Sequence, residues 1–173
     1  MSRSAKIWLV FSLILLVTAF LVLQILPMEI GLYRYRTGNA KDAVRMLRMA
    51  ALLNPLNQRV KVALGASLTS MGEIEEARKV LTKAIRQNPK SARAHNLLGV
   101  ALEREGKLEE ALQEYKKAVE LEPDYASAHF NLGYLHFKLG RYQEARSFLD
   151  RAVELDPSFA RGREEIIGRI PKL

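Results

Sequence analysis

The residues of this 173-residue chain best suited to hold a metal or move a proton are its three histidines, His95, His129 and His136; the chain has no cysteine. Thiolate catalysis, a disulfide framework and a cysteine-containing metal site are therefore excluded. His129 and His136 are seven residues apart and share one helix face, but a metal site there needs further ligands from a neighbouring helix. No glycine-rich phosphate cradle or nucleophile-elbow sequence is present. The acid pairs Glu75–Glu76 and Glu109–Glu110 suit the positive end of a helix dipole better than acid–base chemistry. The expectation is no catalytic residue, no metal and no cofactor, hence a protein that is not an enzyme.

Those acid pairs are 34 residues apart, and the same step runs through the chain. Glycines stand at Gly31, Gly65, Gly99 and Gly133, and again at Gly38, Gly72, Gly106 and Gly140. Alanines recur at Ala43, Ala77, Ala111, Ala145 and at Ala50, Ala84, Ala118, Ala152; prolines recur at Pro55, Pro89, Pro123, Pro157. A stack of identical supersecondary units requires such recurrence, and a single globular core does not. In the unit Ala92 to Tyr125, Leu97, Leu98, Ala101 and Leu102 fall at helical spacing, as do Leu108, Ala111, Leu112, Tyr115, Ala118 and Val119 after Gly106. Each unit is thus a pair of amphipathic helices, broken by a glycine and closed by a proline.

The pattern resembles the tetratricopeptide-repeat family, whose 34-residue unit favours Trp at position 4, Leu at 7, Gly or Ala at 8, Tyr at 11, Ala at 20, an aromatic at 24, Ala at 27 and Pro at 32. The units here are 24–57, 58–91, 92–125 and 126–159, the first the most degenerate. The seventh positions read Ile30, Leu64, Leu98 and Leu132. Departures concentrate at position 4, which holds Pro27, Lys61, His95 and His129, and at position 11, which holds Arg34, Leu68, Leu102 and His136. The resemblance implies an all-α superhelical solenoid. Residues 160–173, with Ile166, Ile167 and Ile170 at helical spacing, read as a helix capping its last repeat.

Ahead of the repeats, and after a short basic stretch at 1–6, residues 7–26 contain no charge and about 30 Å of helix, the thickness of a bilayer core. The run exceeds the apolar core of a cleaved signal peptide and no small-x-small site follows it, so it reads as a single-pass transmembrane helix. The first repeat begins inside this segment, at Gln24, and Pro27 is expected to kink or restart the helix where it leaves the lipid. Counting Arg34, Arg36, Lys41 and Arg45 favours a cytoplasmic solenoid. The positive charges nearest the span, Arg3 and Lys6, precede it and tip the reading towards an extracytoplasmic one.

Of the net charge of +8, units one and two carry +3 and +4, unit three −3 and unit four 0. The positive units would favour anionic lipid or an acidic partner. Without a basic stripe interleaved with stacking aromatics, nucleic acid is not an expected ligand.

In the family that this chain resembles, positions 2, 5, 9, 12 and 13 line a concave groove. Carried over, the resemblance implies a groove of Arg59, Val62 and Ala66 from the second unit, Arg93, Asn96, Val100 and Arg104 from the third, and Phe130, Tyr134, Phe137 and Lys138 from the fourth. The three aromatics are expected to form an exposed stripe that holds a partner unless the tail covers it. Lys and Asn do not stand where some members clamp a terminal carboxylate, so an extended or helical protein segment with apolar anchors is the expected ligand. Similar small anchored members help assemble membrane complexes, which makes this chain an expected membrane-bound adaptor or scaffold. A self-associating structural subunit, forming homo-oligomers, is the alternative.

Overall fold

The computed structural model describes residues 3–171; Met1 and Ser2 of the basic stretch, and Lys172 and Leu173 of the expected cap, lie outside them. The described chain is all helical, in nine α-helices: α1 (Arg3–Arg36), α2 (Ala40–Leu53), α3 (Gln58–Met71), α4 (Ile74–Gln87), α5 (Ala92–Arg104), α6 (Leu108–Leu121), α7 (Ala126–Lys138), α8 (Tyr142–Leu155) and α9 (Ala160–Gly168). A 3₁₀ turn, Pro157–Phe159, precedes α9.

Consecutive helices pack as antiparallel hairpins, α1 on α2, α3 on α4, α5 on α6 and α7 on α8. The turn inside each hairpin needs a residue in the left-handed region. At Gly106 φ is 80°, and Lys107 N–H closes on the Leu102 carbonyl at 2.9 Å, an arrangement that a side chain would strain. Gly38, Gly72 and Gly140 adopt the same conformation.

The other glycine series sets how deeply the two helices of a hairpin meet. A Cβ at Gly99 would stand 2.6 Å from the ring of Tyr115, which is fully buried. The Gly31, Gly65 and Gly133 positions are filled in the same way by Leu47, Leu81 and Leu149. The periodic alanines of the outer helices are likewise almost fully buried, small where the next helix comes close.

Position 4 has a role of its own. Lys61 Nζ donates to the Pro55 carbonyl, His95 Nε2 to Pro89 at 3.0 Å and His129 Nε2 to Pro123 at 2.8 Å. A donor at this place satisfies the carbonyl left open at each inter-unit loop, which a packed indole would not.

Stacking puts α1, α3, α5 and α7 in successive contact along one side, with α2, α4, α6 and α8 outside them. Long side chains of the outer helices tie neighbouring units together: Arg48 of α2 reaches Glu73 and Glu76 at the start of α4 at 2.9 and 2.6 Å, and Arg78 of α4 reaches Glu105 at the end of α5 at 2.8 Å. Exposed pairs such as those of Arg48 contribute about 0–1 kcal/mol each. Buried apolar seams therefore carry the stack.

Of the kink or restart expected at Pro27, the restart does not occur, because Pro27 lies inside one 34-residue helix. Proline removes the bond to the Leu23 carbonyl, but it is itself buried, as is Gly31, and Met28, Leu32 and Tyr35 pack on the first core cluster. That packing begins at Pro27. From Leu13 to Leu26, in contrast, the described large apolar side chains are about half exposed or more.

Replacing Gly99 by Ala should cost about 1–3 kcal/mol by overpacking Tyr115. Gly106→Ala should cost about 1–2 kcal/mol through backbone strain alone. Chemical denaturation of the full chain in detergent reads both as lowered midpoints.

Candidate functional site

The side lined by inner helices contains a cavity of about 320 Å³. Its wall is made by Glu29, Leu32, Tyr35 and Arg36 of α1, by Gln58, Arg59, Val62 and Ala63 of α3, and by Ser91 and Arg93 at the start of α5. Arg93 crosses the mouth: one guanidinium nitrogen donates to the Tyr35 hydroxyl at 3.0 Å, and its central carbon lies 5.7 Å from the Tyr35 ring centre. Arg34, Arg48, Arg78, Arg151 and Arg163 all meet carboxylates elsewhere on the surface. Arg36, Arg59 and Arg93 form no ion pair among the described residues, and Glu29 is the one carboxylate on the wall. The cavity thus combines apolar side chains with excess positive charge at its rim.

Of the residues expected to line the groove, Arg59, Val62 and Arg93 meet at this cavity. Ala66 is buried beside them on α3. Further along, groove positions are spent on contacts between units. Asn96 is buried and accepts from Asn131 Nδ2 at 2.9 Å; Arg104 donates to the Thr69 carbonyl. Lys138 Nζ meets Glu103 at 2.9 Å, the same carboxylate that accepts the Tyr115 hydroxyl at 2.9 Å. Val100 is half-buried against the central core cluster.

The aromatic residues of α7 do not form an open stripe. Phe130, Tyr134 and Phe137 are all half-buried. Phe130 stacks on Phe159 with centroids 4.9 Å apart, and a Cβ at Gly162 of α9 would lie 2.9 Å from its ring. Phe137 lies 6.0 Å from the Tyr142 ring and under Arg169, and Lys138 sits over Tyr134. The chain after Phe159 reaches these rings because α9 folds back on the last hairpin.

The α1 wall is what the sequence reasoning missed. Leu32, Tyr35 and Arg36 occupy positions 9, 12 and 13 of the first unit, the same groove positions that were read only in later units. The signal was present in the register set by Gly31.

The histidines take part in capping and packing contacts. His95 lies between the Glu114 carboxylate, 2.6 Å from Nδ1, and the Pro89 carbonyl. His136 is buried against Phe148 with ring centroids 5.4 Å apart, and neither of its nitrogens meets a hydrogen-bond partner among the described residues. No group of three metal-binding side chains gathers among the described residues.

Profiles described as tetratricopeptide repeat match residues 35–100, 92–115 and 126–159, and one described as TPR repeat matches 104–140. The chain belongs to the tetratricopeptide-repeat family. Its solenoid is similar to that of TTC0263, a thermophilic TPR protein of Thermus thermophilus, with a TM-score of 0.76, 22% identity, and coverage of 83% of this chain and 80% of that one. A crystal structure of MamA protein gives a TM-score of 0.70 at 24% identity, covering 85% and 80%. MamA 41-end from Desulfovibrio magneticus RS-1 gives 0.67 at 26% identity, covering 76% and 75%. No curated protein matches the sequence. A tetratricopeptide-repeat solenoid is consistent with a protein-interaction scaffold, and its inner surface is where the cavity lies.

Burial first, with Arg141 and Lys116 adding to it against the opposing pull of Glu144, holds the His136 imidazole below its ordinary value of 6.5. The unfolded chain then binds the proton more readily, so this contribution is complete above pH 6.5 and is lost as pH falls below it. His136→Leu, which places at position 11 the residue found at Leu68 and Leu102, should stabilise the fold by about 1 kcal/mol or more at pH 7. It should also flatten the fall in melting temperature between pH 7 and pH 5, measured by circular dichroism against the parent.

Proposed function

We propose that this chain is a membrane-anchored adaptor, held in the bilayer by the apolar half of α1, that grips an extended segment of a protein partner in the cavity between α1, α3 and α5. The observation that carries the reading is the cavity wall: Leu32, Tyr35 and Val62 offer apolar contact while Arg36, Arg59 and Arg93 form no ion pair among the described residues. A segment with an apolar anchor and flanking acidic groups meets both demands. Anchoring is supported by α1 itself, whose stretch Ser12–Arg36 contains an 18-residue window of mean hydropathy 2.3 that is almost wholly outside the packed core. Because the same helix supplies Tyr35 and Arg36, the partner is held within about 15 Å of the apolar stretch, reckoned at 1.5 Å per residue from Leu26. Assembly or organisation of a membrane-associated complex is the role such placement suits. The basic residues before the span support an extracytoplasmic solenoid.

A photo-crosslinking residue at Leu32, introduced into the full chain in its native membrane, tests this. The expected result is a heterologous protein adduct that Arg93→Glu reduces at least tenfold. Adducts only between copies of this chain would overturn the adaptor reading in favour of a self-associating subunit. Release of the chain from the membrane by alkaline carbonate, without detergent, would overturn the anchor.

A further inference from the structure

The hairpin of α1 and α2 fixes a height above the apolar segment. Leu47 fills the space facing Gly31, and α2 runs back antiparallel to α1. At about 1.5 Å per residue, Leu52 therefore descends to the level of Leu26, the last residue of the apolar stretch. The loop after α2 is held at that level by Asn57, whose Nδ2 donates to Met28 Sδ at 3.1 Å. Here the chain exposes its two most open large apolar side chains among the described residues, Leu52 at 83% and Leu56 at 80%.

The equivalent loop of the second unit is fastened alongside. Gln87 Nε2 donates to the Pro55 carbonyl at 3.0 Å, and Asn88 Nδ2 to Gln58 Oε1 at 3.1 Å. Lys83, Arg86 and Lys90 are exposed around this double loop, and none of them pairs with a carboxylate among the described residues. In the third unit the same edge turns acidic: Glu120, Glu122 and Asp124 are exposed, with Glu120 paired to Lys117 and Asp124 to Arg151.

We propose that the loop edge of the first two units lies on an anionic bilayer surface, with Leu52 and Leu56 entering the interface and Lys83, Arg86 and Lys90 meeting lipid phosphates. The inference rests on the anchoring of α1 proposed above. A bilayer is the occupant favoured by the structure because the edge continues the apolar surface of α1 at the same height and sets the exposed leucines of the first unit beside the cations of the second, the combination of an interfacial element. The acidic third unit is repelled from the same surface, so the solenoid lifts away beyond the second unit and leaves the cavity open.

The absence of cysteine permits single labels throughout. Val17→Cys, Leu56→Cys and Thr37→Cys variants of the full chain, each carrying an environment-sensitive fluorophore, are reconstituted into vesicles of phosphatidylcholine with phosphatidylglycerol and challenged with nitroxide lipids. The expected result is strong quenching at positions 17 and 56 and little at 37. Reversing Lys83, Arg86 and Lys90 to Glu should lower quenching at position 56 severalfold and leave position 17 unchanged. A label at position 56 as aqueous as that at 37, with position 17 in the hydrocarbon, overturns the docking and leaves the anchor standing. An aqueous label at position 17 overturns both. Shielding at position 56 that grows with protein density and resists nitroxide lipid overturns the docking in favour of a protein contact.

Discussion

A glycine on each inner helix faces the residue sixteen positions later on its outer helix, and the register of that seat governs the rest of the molecule. With Tyr115 or a leucine in the space a Cβ would take, the two helices of a hairpin can meet at one depth and one height only. Repeating the seat at Gly31, Gly65, Gly99 and Gly133 stacks identical hairpins, which is why the inner helices line one continuous surface. At Gly31 the seat has a further consequence. It locks the helix that carries the apolar stretch to α2, so the first wall of the groove and the exposed apolar segment are parts of one rod.

Charge is then distributed by face. The cavity rim gathers Arg36, Arg59 and Arg93, which form no ion pair among the described residues, while the outer helices consume Arg48 and Arg78 in ties to the next unit. Arginines of the same type thus do two different jobs. Paired ones secure the stack at small gain, and unpaired ones around an apolar pocket leave a field for an acidic ligand. Beyond the second unit, Asn96, Arg104 and Lys138 are engaged between repeats and the tail leans on Phe130 and Phe137. The inner surface is therefore open at the end near the apolar segment and filled at the other.

The fold was legible because a 34-residue recurrence of glycine, alanine and proline has few physical causes. Arg59, Val62 and Arg93 were legible as expected groove residues because the resemblance carries the family's groove positions onto this register. Their companions Tyr35 and Arg36 were passed over because the first unit departs most from the family pattern, although its glycine kept the register. Position 4 shows what pattern matching leaves out: Lys61, His95 and His129 look like losses of a packing residue, yet each caps a loop carbonyl that only the three-dimensional turn brings within reach. The restart expected at Pro27 did not occur, for a related reason. Local preference favours an interruption there, but burial of Pro27 and Gly31 against the first core cluster favours continuity, and tertiary packing prevails.

The central claim is that the apolar segment passes rigidly into the solenoid. Pulsed electron–electron resonance between nitroxides at Val17→Cys and Lys116→Cys, in the full chain reconstituted in nanodiscs, tests it most directly, with Lys83→Cys and Lys116→Cys as the reference pair inside the solenoid. The account predicts one narrow distance distribution, as narrow as the reference. A broad or multiple distribution for the first pair beside a narrow reference would place a hinge at Pro27 and contradict it.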